Sequence, residues 1–174
     1  MIQTATHQPI LLYAIEHTDK PIIEFGAGDY STRFIHNVAK GRKIVTIEDK
    51  QEWITPYGDI AKDGHEFNLL SASQFDRFCK ENKTELGVVF IDSYTWAMRL
   101  TALKYLSDNT DYIVLHDAER AQYEGHVQDF GSYLKYWIEF MHIEINYPST
   151  LLGSNKIDLR EVEIKDAIIL KQNK

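Results

Sequence analysis

Four reactive side chains stand where apolar runs stop. Asp92 follows V-V-F-I, His116 and Asp117 follow Y-I-V-L, and Glu48 follows the end of I-V-T-I. In open α/β sheets the carboxyl ends of strands face the crevice where ligands bind. Two carboxylates and an imidazole in one crevice suit a hard divalent cation, with Asp92 and Asp117 as its ligands. They equally suit proton transfer, and Asp92, His116 and Asp117 are therefore the candidate catalytic residues. The structural alternative for Asp92 is a cap on a helix starting near Thr95. Glu48 fits a different task, since a carboxylate there can accept from both hydroxyls of a ribose.

The elements that position Glu48 lie in one stretch, Pro21 to Asp49. Ile22 and Ile23 suit a buried parallel strand. Gly26 and Gly28 free the following turn for a close backbone approach to a ligand. Asp29 or Ser31 can cap the next helix. Phe34, Ile35, Val38 and Ala39 share one face of that helix, and Gly41 stops it. Ile44, Val45 and Ile47 form the second strand. Strand, Gly-rich turn, helix and acid-ended strand make a unit for a nucleotide-like ligand.

Around this unit, Pro9 opens a helix with Ile10, Leu11, Ala14 and Ile15 as its apolar stripe. Trp53 and Ile54 fit a short helix, with Trp53 read as core. Glu66–Leu70 is a short third strand, after which Ser71 and Ser73 are loop serines. Phe75, Phe78 and Cys79 have helical spacing up to about Asn82. Val88–Ile91 and Asp111–Leu115 are strands. Between them Trp96, Leu100, Leu103 and Leu106 form a buried helical face that includes Arg99, read as a buried ion pair. The polar stretch A-E-R-A-Q-Y-E-G-H-V-Q-D-F follows as the best candidate for a substrate-facing loop, with Tyr123 and His126 as its noticeable side chains. Val127, Phe130, Leu134, Trp137 and Met141 recur at helical spacing. Ile143–Tyr147 and Ser149–Leu152 read as strands joined through Pro148. The tail reads as an edge strand or an oligomer contact.

E-F-G-A-G-D-Y-S-T followed by I-V-T-I-E-D resembles motif I and the following acid of class I S-adenosylmethionine-dependent methyltransferases. F-I-D-S-Y-T-W-A-M-R, Y-I-V-L-H-D-A and S-T-L-L-G-S-N-K continue the resemblance, from about Gln8 to Leu159. The third glycine of the family's loop is Tyr30 here. The resemblance implies a Rossmann-like three-layer sandwich spanning residues 1–174 as one domain. Its sheet is mostly parallel with a C-terminal antiparallel hairpin. It also implies S-adenosylmethionine as cofactor, held by Glu24, Gly26, Gly28, Ser31, Thr32 and Glu48. Asp92 and Asp117 end neighbouring strands in that topology and so share a cleft. Some relatives hold a metal on acids at these two strand ends, next to an acid-amide pair where this chain has His116-Asp117.

Composition limits the partners. A net charge of −7 without a basic cluster argues against a nucleic-acid surface. No apolar run is long enough to span a membrane, and the amino terminus lacks the basic-then-apolar pattern of a signal peptide. Cys79 is the single cysteine, which fits a reducing, cytoplasmic compartment. The expected reaction is methylation of a hydroxyl on a small molecule or sugar. Two other readings stand beside it. One is a nicotinamide-dependent oxidoreductase, whose glycine–acid spacing is nearly met with Ser31 at the third glycine. The other is a non-catalytic binding module that keeps the fold.

Overall fold

Nine glycines and an alternation of apolar runs with helical stripes set the element order, and a computed structural model describes residues 5–39, 41–93, 95–119 and 130–173. Strand β1 (Ile22–Phe25) is buried along its whole length, as its continuous apolar character requires of a central parallel strand. It pairs in parallel with β2 (Ile44–Glu48) on one side and β4 (Leu86–Ile91) on the other, with Ile22 opposite both Ile44 and Val88. β3 (His65–Leu69) adds to β2, and β5 (Thr110–His116) adds to β4, both in parallel.

Beyond β5 the chain direction reverses. β7 (Ile145–Ser154) runs antiparallel to β5, β6 (Tyr136–His142) pairs with β7, and β8 (Ala167–Gln172) closes that edge. The eight strands lie in the order 3-2-1-4-5-7-6-8. This is a Rossmann-like α/β sandwich with a parallel core and an antiparallel C-terminal part.

Helices cover both faces. α1 (Gln8–Glu16) and α2 (Thr32–Val38) press Ile10, Leu11, Ile15 and Ile35 onto Ile22, Val88, Phe90 and Val114. On the other face, α5 (Ala72–Glu81) and α6 (Trp96–Leu106) press Phe75, Cys79, Leu103 and Leu106 onto Phe25, Ile47, Val89 and Ile91. Two short helices, α3 (Gln51–Ile54) and α4 (Gly58–Ala61), link β2 to β3. Each large apolar side chain buried here contributes roughly 1.5–3 kcal/mol. No helix among the described residues is long and apolar enough to cross a membrane.

Two expectations are corrected. Trp137 and Met141 lie on strand β6, not on a helix, and Phe130 sits in a short 3₁₀ turn at Phe130–Ser132. Trp137 packs on one face of the sheet while Ile138 and Phe140 pack on the other, so burial on both faces erased the alternation that marks a strand. Pro148 does not join two strands. It lies inside β7, in the stretch where the register shifts between the Phe140–Thr150 and His142–Ile145 pairs. A missing N–H is tolerated at such an irregularity. The tail forms an edge strand with Ile168, Ile169 and Leu170 exposed. Tyr123, His126 and Val127 lie outside the described residues.

The turn after β1 has little freedom. Gly26 has φ of +93°, and a Cβ there would stand 2.5 Å from the backbone oxygen of Asp92. We expect Gly26→Ala to cost about 1–3 kcal/mol in urea unfolding, from the disfavoured φ and the clash together. Gly28→Ala, whose Cβ would meet nothing nearer than 3.5 Å, should stay within about 0.5 kcal/mol of wild type. Equal stabilities for the two variants would contradict this packing of the turn on β4.

Candidate active site

The turn 26–31 links β1 to α2 and forms one wall of a cavity of about 860 Å³ at the carboxyl ends of the strands. Gly28 donates its N–H to Thr32 Oγ1 at 2.9 Å, which closes the turn onto the first residue of the helix. Glu48 ends β2 beside it. The N–H of Ala27 donates to Glu48 Oε2 at 2.9 Å, while those of Asp49 and Lys50 donate to Oε1 at 2.8 and 3.2 Å. Three backbone donors fix this carboxylate in the cavity wall and leave one lone pair, on Oε2, for a further donor. Burial, then the adjacent Asp49, pushes its pKa up against those hydrogen bonds.

A buried polar layer braces the turn from below. Thr46 Oγ1 donates to Glu24 Oε2 at 2.6 Å, and His65 Nε2 lies 2.7 Å from the same hydroxyl. With the hydroxyl proton spent on Glu24, His65 must be the donor in that contact. Burial pushes Glu24 up to about 7, against hydrogen bonds from Ser31, Thr46 and Thr32. Burial, helped by the nearby His36, holds His65 down at about 4.

The second wall is the end of β4 and β5, organised by Arg99. This side chain is only 1% exposed. Its Nε donates to the carbonyl of Ser93 at 2.8 Å, Nη1 donates to the carbonyl of His116, and Nη2 donates to Asp92 Oδ1 at 3.1 Å. Asp117 Oδ2 lies 3.7 Å from the same Nη2. His116 Nδ1 lies 3.1 Å from Asp92 Oδ2 and 3.6 Å from Asp117 Oδ1, while Nε2 faces Thr6 Oγ1 at 3.4 Å. Asp117 has φ of +51°, a left-handed backbone that aspartate tolerates better than most residues.

The two carboxylates are pushed apart in acidity. Burial opposes the charge of Asp92, but the His116 hydrogen bond and the charges of His116 and Arg99 outweigh it and hold the carboxyl below its usual range. Asp117 is raised, chiefly by burial and further by Asp92, against His116 and Arg99. For His116, burial opposes the imidazolium, yet Asp92 and Asp117 raise it overall.

Solved structures that superpose on this chain include several that are methyltransferases by name. The bifunctional kinase-methyltransferase WbdD superposes with a TM-score of 0.58 at 16% identity, over 85% of this chain and 39% of its own. A rRNA methylase from Streptococcus thermophilus gives 0.54 at 13%, over 82% of this chain and 92% of its own. The N-methyltransferase NodS from Bradyrhizobium japonicum WM9 gives 0.54 at 11%, over 84% and 92%. The chain has the S-adenosylmethionine-dependent methyltransferase fold. It spans about two fifths of the length of WbdD. By sequence, no family model and no curated protein matches it.

Within this methyltransferase fold the expected site residues divide into two groups. Gly26, Gly28, Ser31, Glu48, Asp92, His116 and Asp117 all line the one cavity. Glu24 and Thr32 are fully buried beneath the turn and do not line it. Trp53 is not core: it is 47% exposed and borders the cavity mouth. Asp92 does not cap α6, whose Met98 N–H is accepted by Thr95 Oγ1. Ser71 and Ser73 stay outside the cavity, where Ser71 forms a capping box with Gln74 on α5.

The metal reading fails on chemistry. One donor atom from each of Asp92, His116 and Asp117 lies within 4.8 Å of the others. Arg99 is packed among them, and His116 turns Nδ1, its nearest donor, onto Asp92. The guanidinium already occupies the space between the acids, and three protein donors fall short of the six or more oxygens a divalent cation seeks, so these residues do not fit a resident one.

Sequence reasoning missed His7 and reached Glu119 only as an unsingled member of the substrate-facing loop; both line the cavity. Glu119 is buried and accepts from the N–H and hydroxyl of Ser149 at 2.9 and 2.7 Å. His7 is 2% exposed, and burial, with His116 next, lowers its pKa to about 3. Neither lies on a motif. The one available signal for His7 was its place just before the helix-opening Pro9.

Removing the buried Arg99 should leave two half-buried carboxylates without their cation and two backbone carbonyls without a donor, so Arg99→Met should destabilise the fold by about 2–4 kcal/mol in urea unfolding. The pH dependence has a definite sign. His116 is raised in the folded state, so the stability it contributes is complete below its ordinary 6.5 and is lost as pH rises through the folded value. Asp92 is lowered, so its contribution is complete above its ordinary 3.8 and is lost as pH falls through the folded value. The melting temperature of wild type should therefore fall more between about pH 6 and pH 9 than that of Asp92→Asn, which lacks the His116 partner. Parallel pH profiles would show that His116 is not held by Asp92.

Proposed function

We propose that this protein is an S-adenosylmethionine-dependent methyltransferase that methylates a hydroxyl on a small molecule or sugar. The observation behind this reading is Glu48, fixed by three backbone N–H groups in the wall of the cavity that also holds the Asp92–His116–Asp117 cluster. The residues fit the cofactor. Glu48 would accept from a ribose hydroxyl, and Ile47, Leu70 and Phe75 would flank the flat base. The turn 26–31 would run beside the remainder, with Gly26 and Gly28 in the cavity lining. When bound, S-adenosylmethionine supplies a methyl group already activated on a sulfonium.

The chain's own tasks are alignment, exclusion of water and removal of one proton. Asp117 is the better base of the two acids. Its carboxylate is raised toward neutrality, whereas Asp92 is held acidic by His116 and Arg99. Environments that separate two titrating groups in this way divide their roles. Asp92 orients His116 through Nδ1, and Asp117 receives the hydroxyl proton. The charge of −7 supports a small acceptor over a nucleic acid. The like-folded methyltransferases favour this reading over the nicotinamide one. The single buried thiol, Cys79, supports a reducing, cytoplasmic setting.

Two substitutions separate binding from chemistry. Glu48→Ala should weaken S-adenosylmethionine by about 1–3 kcal/mol in calorimetry. Asp117→Asn should leave that affinity nearly intact and lower single-turnover methyl transfer about 10²–10⁴-fold, assayed on a panel of hydroxylated small molecules. The acidic limb of the wild-type rate profile should lie above the ordinary carboxylate range, because the base must first lose its proton. Unchanged affinity in folded Glu48→Ala would remove the methyl donor from this cavity.

A further inference from the structure

His7 has no hydrogen-bond partner on either ring nitrogen, although it is buried and borders the cavity. Buried polar groups are paired in the great majority of cases, and those left over call for an explanation. Of its neighbours only the Tyr30 carbonyl acts as an acceptor for the ring, and it can serve one nitrogen at most. Phe90 lies 5.0 Å away between ring centroids and offers no polar atom. His116 meets it edge-on at 4.5 Å, with Nδ1 turned to Asp92 and Nε2 to Thr6. The carbonyl of Tyr30 accepts from Gln8 Nε2 at 2.7 Å.

The ring is nonetheless held in place. Gln8 ties the start of α1 to the Gly-rich turn, Thr6 reaches His116, and Pro9 stiffens the first helical turn. His7 occupies the N-cap position of α1 but makes no side-chain cap bond, so its imidazole is not spent on the helix. A neutral imidazole presents one N–H and one lone pair. Burial beside another imidazole favours that neutral form.

The cavity has two unlike ends. Glu48 with Ile47, Leu70 and Phe75 suits a nucleoside. Across the turn, His7 stands with His116 and Asp92. A donor whose nucleoside lies on Glu48 must extend its remaining polar atoms across the turn toward that second end. We propose that His7 is a binding residue for the α-amino-acid end of S-adenosylmethionine, offering that zwitterion a ring N–H or lone pair. This rests on the methyl-donor reading of the same cavity.

The test uses two nucleosides that share adenosine and a thioether and differ in that end. S-adenosylhomocysteine has the amino acid, and 5′-methylthioadenosine lacks it. Calorimetry on His7→Leu should show S-adenosylhomocysteine weakened about tenfold, the loss expected for one hydrogen bond to a charged group, with 5′-methylthioadenosine unchanged. His7→Gln, which keeps a donor and an acceptor, should recover part of the loss. Ligand-free His7→Leu should melt no lower than wild type, since it removes an unpaired buried polar group. Equal weakening of both nucleosides, or of neither, overturns the proposal, as does a lower melting temperature with poorer binding of both. Wild type binding neither nucleoside would instead bring down the methyl-donor reading, and this inference with it.

Discussion

The guanidinium of Arg99 is the constraint on which the site depends. Strands β4 and β5 are parallel neighbours, so their carboxyl ends, with Asp92 and Asp117, necessarily arrive side by side. Two carboxylates in a partly dry cleft repel, and each disfavours the other's charge. Arg99 answers this from α6, with one nitrogen on the Asp92 carboxylate and two on the carbonyls of Ser93 and His116. The same contacts that neutralise the acids therefore fix the backbone leaving both strands. A lysine in that place would supply charge without the planar fork that spans three acceptors.

That backbone is also the floor under the Gly-rich turn. The Asp92 carbonyl presses against Gly26 closely enough to forbid a side chain, and the neighbouring N–H of Ala27 holds Glu48. Arg99, Asp92, Gly26 and Glu48 thus form one mechanical chain from α6 to the end of β2. The buried Glu24–Thr46–His65 row supports the same turn from beneath, which explains why Glu24 and Thr32 stand outside the cavity. Their hydrogen bonds set the shape of the turn, and the backbone above them faces the cavity.

Much of this was legible in the sequence, and the parts that were not have physical causes. Acids at the ends of apolar runs located Glu48, Asp92 and Asp117, because parallel strands buried on both faces must end where polarity returns. The parallel half of the sheet followed from the same runs. The antiparallel half did not. Leu134, Trp137 and Met141 mimic helical spacing only when Ile138 and Phe140 between them are ignored, and a strand covered on both faces shows neither period cleanly. Trp53 looked like core by its residue type, yet it borders an open cavity, where half its surface is left to solvent or ligand. His7 was invisible, and Glu119 was not singled out within its loop, because their importance is a matter of burial and unpaired or shared hydrogen bonds, which no spacing records.

The charge of the cavity bears on what it admits. Asp92 and Asp117 meet one permanent cation, Arg99, and the neutral His7 adds no positive charge. Glu48 and Glu119 lie in the same wall. The cavity is therefore acidic within a chain that is acidic as a whole, and a phosphate-bearing acceptor would meet repulsion both in approach and at the site. A neutral molecule meets no such barrier. The same electrostatics favours a cationic sulfonium over a neutral ligand of equal shape, because the acids around it lie within Coulombic reach. A cavity in which acids outnumber Arg99 and Lys50 thus favours cationic ligands over anionic ones before any specific contact is made.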